Sequence, residues 1–258
     1  MSTEPKDKPQ LLRETDDEAR RLARSLVHGA RYMALAVLDP QTGFPSASRA
    51  LTAPDLDGVP VILASALSGH TKGLLADPRC SLLAGEPGKG DPLAHSRITL
   101  QCLANAVDRA GDAHARIRER FLDLHPKASL YVDFPDFRFF RLVPQSASLN
   151  GGFGRAFALL PDDIVLAELP AQSEWLDLQR RLKVMNDLAA KIAEQLGRGG
   201  TNNNWRFGAV DPFGFHLVVG DAQVRHAFER AVSTPQQAFS SISAIQNGNG
   251  QGIPSPEI

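Results

Sequence analysis

The sequence predicts an α+β chain, a small antiparallel β-barrel followed by a smaller α+β domain. Three observations carry this. Short apolar or alternating runs succeed one another from Tyr32 to Leu159, with tight Gly- and Pro-rich turns between them. Helical spacing interrupts them only briefly, and many consecutive antiparallel strands with few helices close into a barrel. Composition then shifts, and Pro161-Asp162-Asp163 and Pro170-Ala171-Gln172-Ser173 bracket a linker. The expected organisation is a disordered tail over 1–14, a barrel domain over 15–168, a small C-terminal domain over 169–246 and a flexible tail over 247–258.

Each element has a local reason. Thr15-Asp16-Asp17-Glu18 supplies a cap and first-turn acids to a helix whose apolar positions Ala19, Leu22, Ala23, Leu26 and Val27 share a face, and Gly29 ends it. Residues 32–38 form a first strand, 46–52 a second and 59–64 a third, joined by the turns at 39–45 and 54–58. Ser68 caps a brief helix that stops at Asp77-Pro78. Strands follow at 78–85 and 97–107, then a helix over 113–124 broken by His125-Pro126. Residues 137–143, extended by 146–150, alternate strongly, and a glycine-rich bend at 151–154 leads to a short strand at 155–159. In the second domain Ser173 is expected to cap one long helix over 174–196, stopped by Gly197-Arg198-Gly199-Gly200. Three short strands, 205–210, 215–219 and 222–228, then precede a helix over 235–245 capped by Thr234.

Composition narrows the function. A net charge of -1 gives no basic footprint for nucleic acid, and no apolar run approaches the ~20 residues that span a bilayer. The polar start, Met1 to Pro9, has no apolar signal core. Two cysteines, Cys80 and Cys102, each in a strand-like segment, fit a reducing cytoplasm and no disulfide framework. The histidines are scattered without ligand spacing, so no metal site is expected.

The stretch from Leu63 to Gly73 holds the chemistry. A buried strand delivers Ser65, Ser68, Gly69, His70, Thr71 and Lys72 to a helix start. Hydroxyls and a lysine at a helix N-terminus, with Arg49 on a neighbouring strand, suit a phosphate. The blander readings are a capping serine with a surface lysine, an Arg49 ion-paired to Asp55 or Asp57, and an ordinary loop histidine at 70.

The order of these segments resembles a known family. Ser48-Arg49-Ala50-Leu51, then Ser65, Ser68-Gly69-His70-Thr71-Lys72, Asp77-Pro78-Arg79, Asp91-Pro92-Leu93, Arg97-Ile98-Thr99-Leu100-Gln101, His125-Pro126, Asp136-Phe137 and Gly151-Gly152-Phe153-Gly154-Arg155-Ala156 resemble the pyridoxamine 5'-phosphate oxidase-like FMN-binding split barrels. The likeness is greatest to the haem-utilisation branch with a C-terminal second domain, and it spans roughly residues 20–245. The resemblance implies a six-stranded antiparallel Greek-key split barrel with flanking helices, a homodimer, and FMN at the subunit interface. It implies cofactor contacts from Arg49, Ala50, Leu51, Ser65, Ala66, Ser68, Thr71, Lys72 and Gln101. Arg49, Thr71 and Lys72 would meet the phosphate, Ser65 and Ala66 the ribityl chain, and Gln101 the ring. Aromatic residues on both faces of one strand, Phe137, Phe139 and Phe140, also point to a covering partner.

Two departures matter. Relatives often carry His-Met-Asn-x-Asp-His on the second-domain helix; here Val184 and Leu188 stand at the histidine positions around Met185-Asn186-Asp187. Gly73 follows the lysine where relatives usually have asparagine. No acid–base pair, Ser-His-Asp arrangement or activated cysteine stands out, so catalytic residues are not assigned. Three functions compete. The first is a flavin-dependent oxidoreductase whose chemistry lies in the cofactor. The second is a haem-binding or haem-degrading protein with His70 or His226 as axial ligand. The third is a non-catalytic ligand-binding module.

Overall fold

A computed structural model describes residues 12–152, 155–198 and 204–246 of the chain. The expected tail at 247–258, most of the tail at 1–14, and the Gly199-Gly200 stop lie outside the described residues. Arg13 is placed: its main-chain N–H donates to Ala156 O at 2.9 Å.

Helix α1 (Asp17–Gly29) begins where the Asp16 carboxylate accepts the Ala19 N–H, as a good N-cap should. Strands β1 (Tyr32–Leu38), β2 (Pro45–Pro54) and β3 (Pro60–Ser65) follow, then α2 (Gly69–Ala76), β4 (Arg79–Ala84) and β5 (Arg97–Ala106). Helix α3 (Asp112–Leu124) precedes β6 (Phe137–Asn150) and β7 (Ala156–Leu159). The strands pair antiparallel in the order β3-β2-β1-β4-β5-β6-β7, and β3 also pairs with β6. That last pairing closes six strands into a barrel, with β7 appended to β6. The fold class expected from the sequence is the one observed.

Alternation fills the barrel. Met33, Leu35, Ala50, Ile62, Leu82, Leu100, Phe140 and Leu142 point inward into one buried cluster. The long β6 serves three partners: β5 along one edge, with a register slip between Gln101 and Cys102, and on the other edge β3 over residues 137–141 and β7 over residues 147–150.

The second domain departs from the sequence reading at its helix. One helix over 174–196 is expected; two are found, α4 (Gln172–Lys183) and α5 (Asn186–Gln195). The break falls at Val184-Met185, ahead of Asn186-Asp187, residues that favour helix starts over helix interiors. Ser173 is not the cap either. Ala171 holds that place in a left-handed conformation and accepts the Trp175 N–H. Strands β8 (Arg206–Asp211), β9 (Gly214–Val219) and β10 (Ala222–Ala227) form a separate antiparallel sheet. Helix α6 (Pro235–Gln246) is capped by Thr234, whose hydroxyl accepts the Gln237 N–H at 3.2 Å. Trp175, Leu178, Leu182, Ile192, Phe207, Phe215 and Ile242 make a core that joins α4, α5 and α6 to this sheet.

A third cluster joins the two domains. Ala53, Val61 and Phe139, on the outer face of the barrel, pack with Ile117, Phe121 and Leu124 of α3 and with Ala209 and Val218 of the small sheet. The aromatics of β6 are therefore used within one chain. Phe140 fills the barrel, Phe139 the domain junction, and Phe137 is half-buried against the Tyr131 and Phe134 rings.

Candidate functional site

Strand β3 ends at Ser65, and the turn after it is tied down by the Ser65 and Ser68 hydroxyls and by Asp136. Ser65 Oγ donates to Asp136 Oδ2 at 2.7 Å and accepts the Leu67 N–H at 3.2 Å. Ala66 N donates to Asp136 O at 2.7 Å, so the start of β6 anchors this turn. Ser68 Oγ donates to Ser65 O at 2.7 Å and lies 2.8 Å from Thr71 Oγ1. Ser68 is the N-cap of α2 by position, but its hydroxyl makes no bond to the helix main chain. Thr71 is completely buried.

His70 links two hydroxyls from different elements. Its Nε2 lies 3.1 Å from Ser68 Oγ and its Nδ1 3.1 Å from Ser48 Oγ. Because Ser68 spends its proton on Ser65 O, Ser68 accepts from Nε2–H, and Nδ1 is left to accept from Ser48. Partial burial lowers the imidazole pKa, which favours the neutral ring this chain of bonds requires. Ser48, Ser65, His70 and Asp136 all stood in the sequence pattern; the pairing of Ser48 with His70 and of Ser65 with Asp136 did not.

Arg49 and Lys72 are exposed and have no carboxylate partner among the described residues. The ion pair considered for Arg49 with Asp55 or Asp57 is made by other arginines: Arg116 and Arg141 take Asp55, and Arg141 takes Asp57. Arg49 instead stacks on the Tyr32 ring, 4.7 Å from its centroid. Ala50, its neighbour, faces the barrel core, and Leu51 packs toward the domain junction. Ala66 is exposed.

Register places Arg49 on a defined surface. It sits opposite Ala34, which sits opposite Leu83, then Thr99, then Ser148 and Ala158. One row along lie Ala47, Ala36, Ser81, Gln101 and Ser146, and Ser146 Oγ donates to Gln101 Oε1 at 2.8 Å. This outer face is a strip of small and apolar side chains with Arg49 near one edge and Gln101 within it.

The other proposed ligands are not accessible in the same way. His226 is buried and stacks on Phe215 at 5.2 Å. His28, His125 and His216 are buried as well. Among the described residues, no group of three His, Cys, Asp or Glu side chains is placed to hold a metal ion, and no helix is long and apolar enough to cross a membrane.

The residue set can be tested against the two candidate cofactors. For a phosphate, Ser65 and Thr71 are already engaged and the Asp136 carboxylate stands beside Ser65, so Arg49 and Lys72 remain as free donors. For haem, the two exposed cations match two carboxylate arms, and His70, whose two ring nitrogens are engaged by Ser48 and Ser68, would have to exchange one of those hydroxyls to act as a ligand. Arg49 and Lys72 fit either anion in charge, and the imidazole is the one group that haem alone would use.

Comparison with known proteins follows this geometry. The chain is 33% identical over 153 residues to the chloroplastic non-canonical heme oxygenase HOZ of Arabidopsis thaliana, covering 57% of this chain and 46% of that protein, so it spans about half its length. A heme binding protein from Mycobacterium smegmatis superimposes with TM-score 0.54 at 26% identity, covering 92% of this chain and 99% of that one. The protein Atu2129 of Agrobacterium tumefaciens, of unknown function, superimposes with TM-score 0.73 at 28% identity, covering 88% and 95%. The family model described as CREG, beta-barrel matches residues 14–164, the span that holds the closed barrel and every residue of the candidate site, and the chain belongs to that family.

Proposed function

We propose that this chain binds haem and takes part in its degradation. One observation carries the reading: the identity to a heme oxygenase of Arabidopsis thaliana. The likeness to the Mycobacterium smegmatis heme binding protein, which takes in nearly the whole chain, supports it. The chain's own residues are suited to it. Arg49 and Lys72 would meet the carboxylates, and His70, oriented by Ser48 and Ser68, would present an imidazole. Bound haem would supply the redox chemistry; the chain would supply charge, orientation and exclusion of water. The strip through Ala34, Leu83 and Thr99 is the surface we assign to a second copy of the chain, since Leu83 is 45% exposed on a flat sheet face.

FMN is the second reading, because a phosphomonoester would use the same Arg49 and Lys72 charges. The visible spectrum separates the two. Haemin titrated into the purified chain should give a saturable Soret band, shifted from that of free haem and altered in His70→Ala. Flavin bands in the purified protein with no Soret response would reverse the order of the readings, and neither signal would defeat both.

A further inference from the structure

The chain has two cysteines, and the fold sets them face to face. Cys80 on β4 and Cys102 on β5 are direct partners in the antiparallel register. Both side chains point into the barrel and both are free and buried. Cys80 Sγ lies 3.7 Å from Cys102 O. Two residues along the same register, Ala104 N donates to Pro78 O at 2.8 Å, so Cys80 and Cys102 occupy a hydrogen-bonded pair position as well. At such positions the Cα atoms stand about 5.5 Å apart, within the roughly 4.4–6.8 Å that a disulfide spans.

We propose that Cys80 and Cys102 form a reversible redox pair that closes to a cross-strand disulfide when the chain meets a peroxide. The Cys80 thiol donates to the Cys102 main-chain oxygen, the neighbouring Cys102 side chain lowers the Cys80 pKa against the effect of burial, and Cys80 and burial together raise that of Cys102, so Cys80 is taken as the attacking thiol. The Cys80 thiolate attacks the peroxide, an S–O bond forms and the O–O bond breaks, leaving a sulfenic acid and hydroxide. Cys102 sulfur then attacks the Cys80 sulfur, the S–O bond breaks, and the departing hydroxide takes the thiol proton as water. With hydrogen peroxide the balance is two thiols plus one peroxide to one disulfide plus two waters. Burial restricts the oxidant to a small molecule.

The position argues for a switch over a permanent staple. A bridge across a hydrogen-bonded pair must bend an intact ladder, and strained disulfides are the readily reduced ones. Cys102 also follows Gln101 at the point where β5 slips against β6. A bridge there would brace β4 to β5 beside a residue of the candidate site.

The test uses the full native chain. It is treated with hydrogen peroxide, quenched with catalase, denatured and alkylated with iodoacetamide. The expected result is a mass lower by two hydrogen atoms, no alkylation at either cysteine, and a cross-linked peptide joining Cys80 to Cys102. Native treatment with millimolar 2-mercaptoethanol, a thiol small enough to follow the peroxide, should restore both thiols. Cys102→Ser should stop at a sulfenic acid on Cys80 that dimedone traps. Two alkylated thiols after peroxide, sulfinic acid at either cysteine of the native chain, a bridge between separate chains, or a disulfide that resists 2-mercaptoethanol would each overturn the proposal.

Discussion

The His216 imidazole donates from Nε2 to the main-chain oxygen of His28 at 2.9 Å, across 188 residues of sequence. His28 closes α1 of the barrel domain, and His216 lies mid-strand in β9. On its other side, His216 Nδ1 is 3.3 Å from Arg225 Nη1, and Arg225 grips Asp211 through two bonds of 2.9 and 2.6 Å. The domain junction is thus sealed by polar groups that water does not reach. Such groups stabilise a structure only while their protonation states are kept.

Acid should therefore unfold the protein earlier than its surface charge suggests. Burial holds His28 and His216 at a pKa of about 3, and His125 and His226 at about 4, against an ordinary value of 6.5. The unfolded chain takes up protons on these rings below pH 6.5 while the folded chain refuses them. Their contribution is whole above 6.5 and is lost as pH falls toward 4 and then 3, by up to about 1.4 kcal/mol per pH unit for each group. Burial opposes ionisation of Asp211 but Arg225 outweighs it and holds the carboxyl at about 2, so its contribution is lost as pH falls from the ordinary carboxylate value toward 2. Urea midpoints should fall steadily from pH 7 to pH 4.5. A midpoint constant over that interval would remove the argument.

Gly58 should tolerate no side chain. Its φ is +89°, and an added Cβ would lie 2.7 Å from His28 Nε2 and 3.2 Å from the Phe213 ring. Among the described residues the His28 ring nitrogens have no hydrogen-bond partner, and the ring packs against Phe213 with centroids 5.1 Å apart. Gly58→Ala should cost about 2–4 kcal/mol, backbone strain and overpacking together. Adding His28→Ala should return part of that loss, because it clears the clash but leaves the strain. A double-mutant cycle in urea measures the coupling, and strictly additive effects would refute the contact.

Arg120 should prove the costliest single side chain at the junction. It is buried, donates to Gln179 Oε1 at 2.6 Å and Val210 O at 2.7 Å, reaches Pro54 O, and lies 3.7 Å from the buried Asp211. Gln179 in turn donates to Asp123, which also pairs with Lys183. Arg120→Ala would orphan carbonyls from both domains and leave Asp211 with one cation fewer, a loss of about 3–5 kcal/mol. Arg120→Lys should restore little, since a point charge cannot reach three separated acceptors. A loss under about 1 kcal/mol in denaturant melts would mean that water takes the place of the guanidinium.

Local sequence made the elements legible and left the junction hidden. Alternation in β1 to β7 and the capping residues Asp16 and Thr234 are short-range signals, and they were read close to their ends. The break at Val184-Met185 was missed because the apolar stripe runs on through Leu182, Leu188 and Ile192 regardless of the interruption. Arg120, Asp211, Arg225 and His216 look like surface residues in the sequence; only the packing of α3 against the small sheet buries them. At the candidate site, residue kinds were legible but directions were not. Arg49 and Ser48 are adjacent, and strand alternation sends one to the outer face and the other inward to His70. Spacing alone cannot say which hydroxyls are already spent, as those of Ser65 and Ser68 are.

The two halves of the candidate site should respond differently to mutation. Arg49 and Lys72 are exposed and carry no ion pair among the described residues, so Arg49→Gln and Lys72→Gln should leave folding unchanged. If they meet an anionic ligand, the double variant should weaken haem binding about 3- to 10-fold at low salt, the range for two solvated charges, and the difference should shrink as salt is added. His70→Ala acts otherwise. It removes the shared partner of Ser48 and Ser68 and any imidazole the ligand uses, so it should change the shape and position of the Soret band whatever the salt. Ser48→Ala separates orientation from ligation, because it frees Nδ1 and leaves the ring in place. Haem titrations of these variants at two salt concentrations decide the matter. Wild-type binding in the double glutamine variant at low salt would detach Arg49 and Lys72 from the ligand, and an unchanged Soret band in His70→Ala would detach the imidazole.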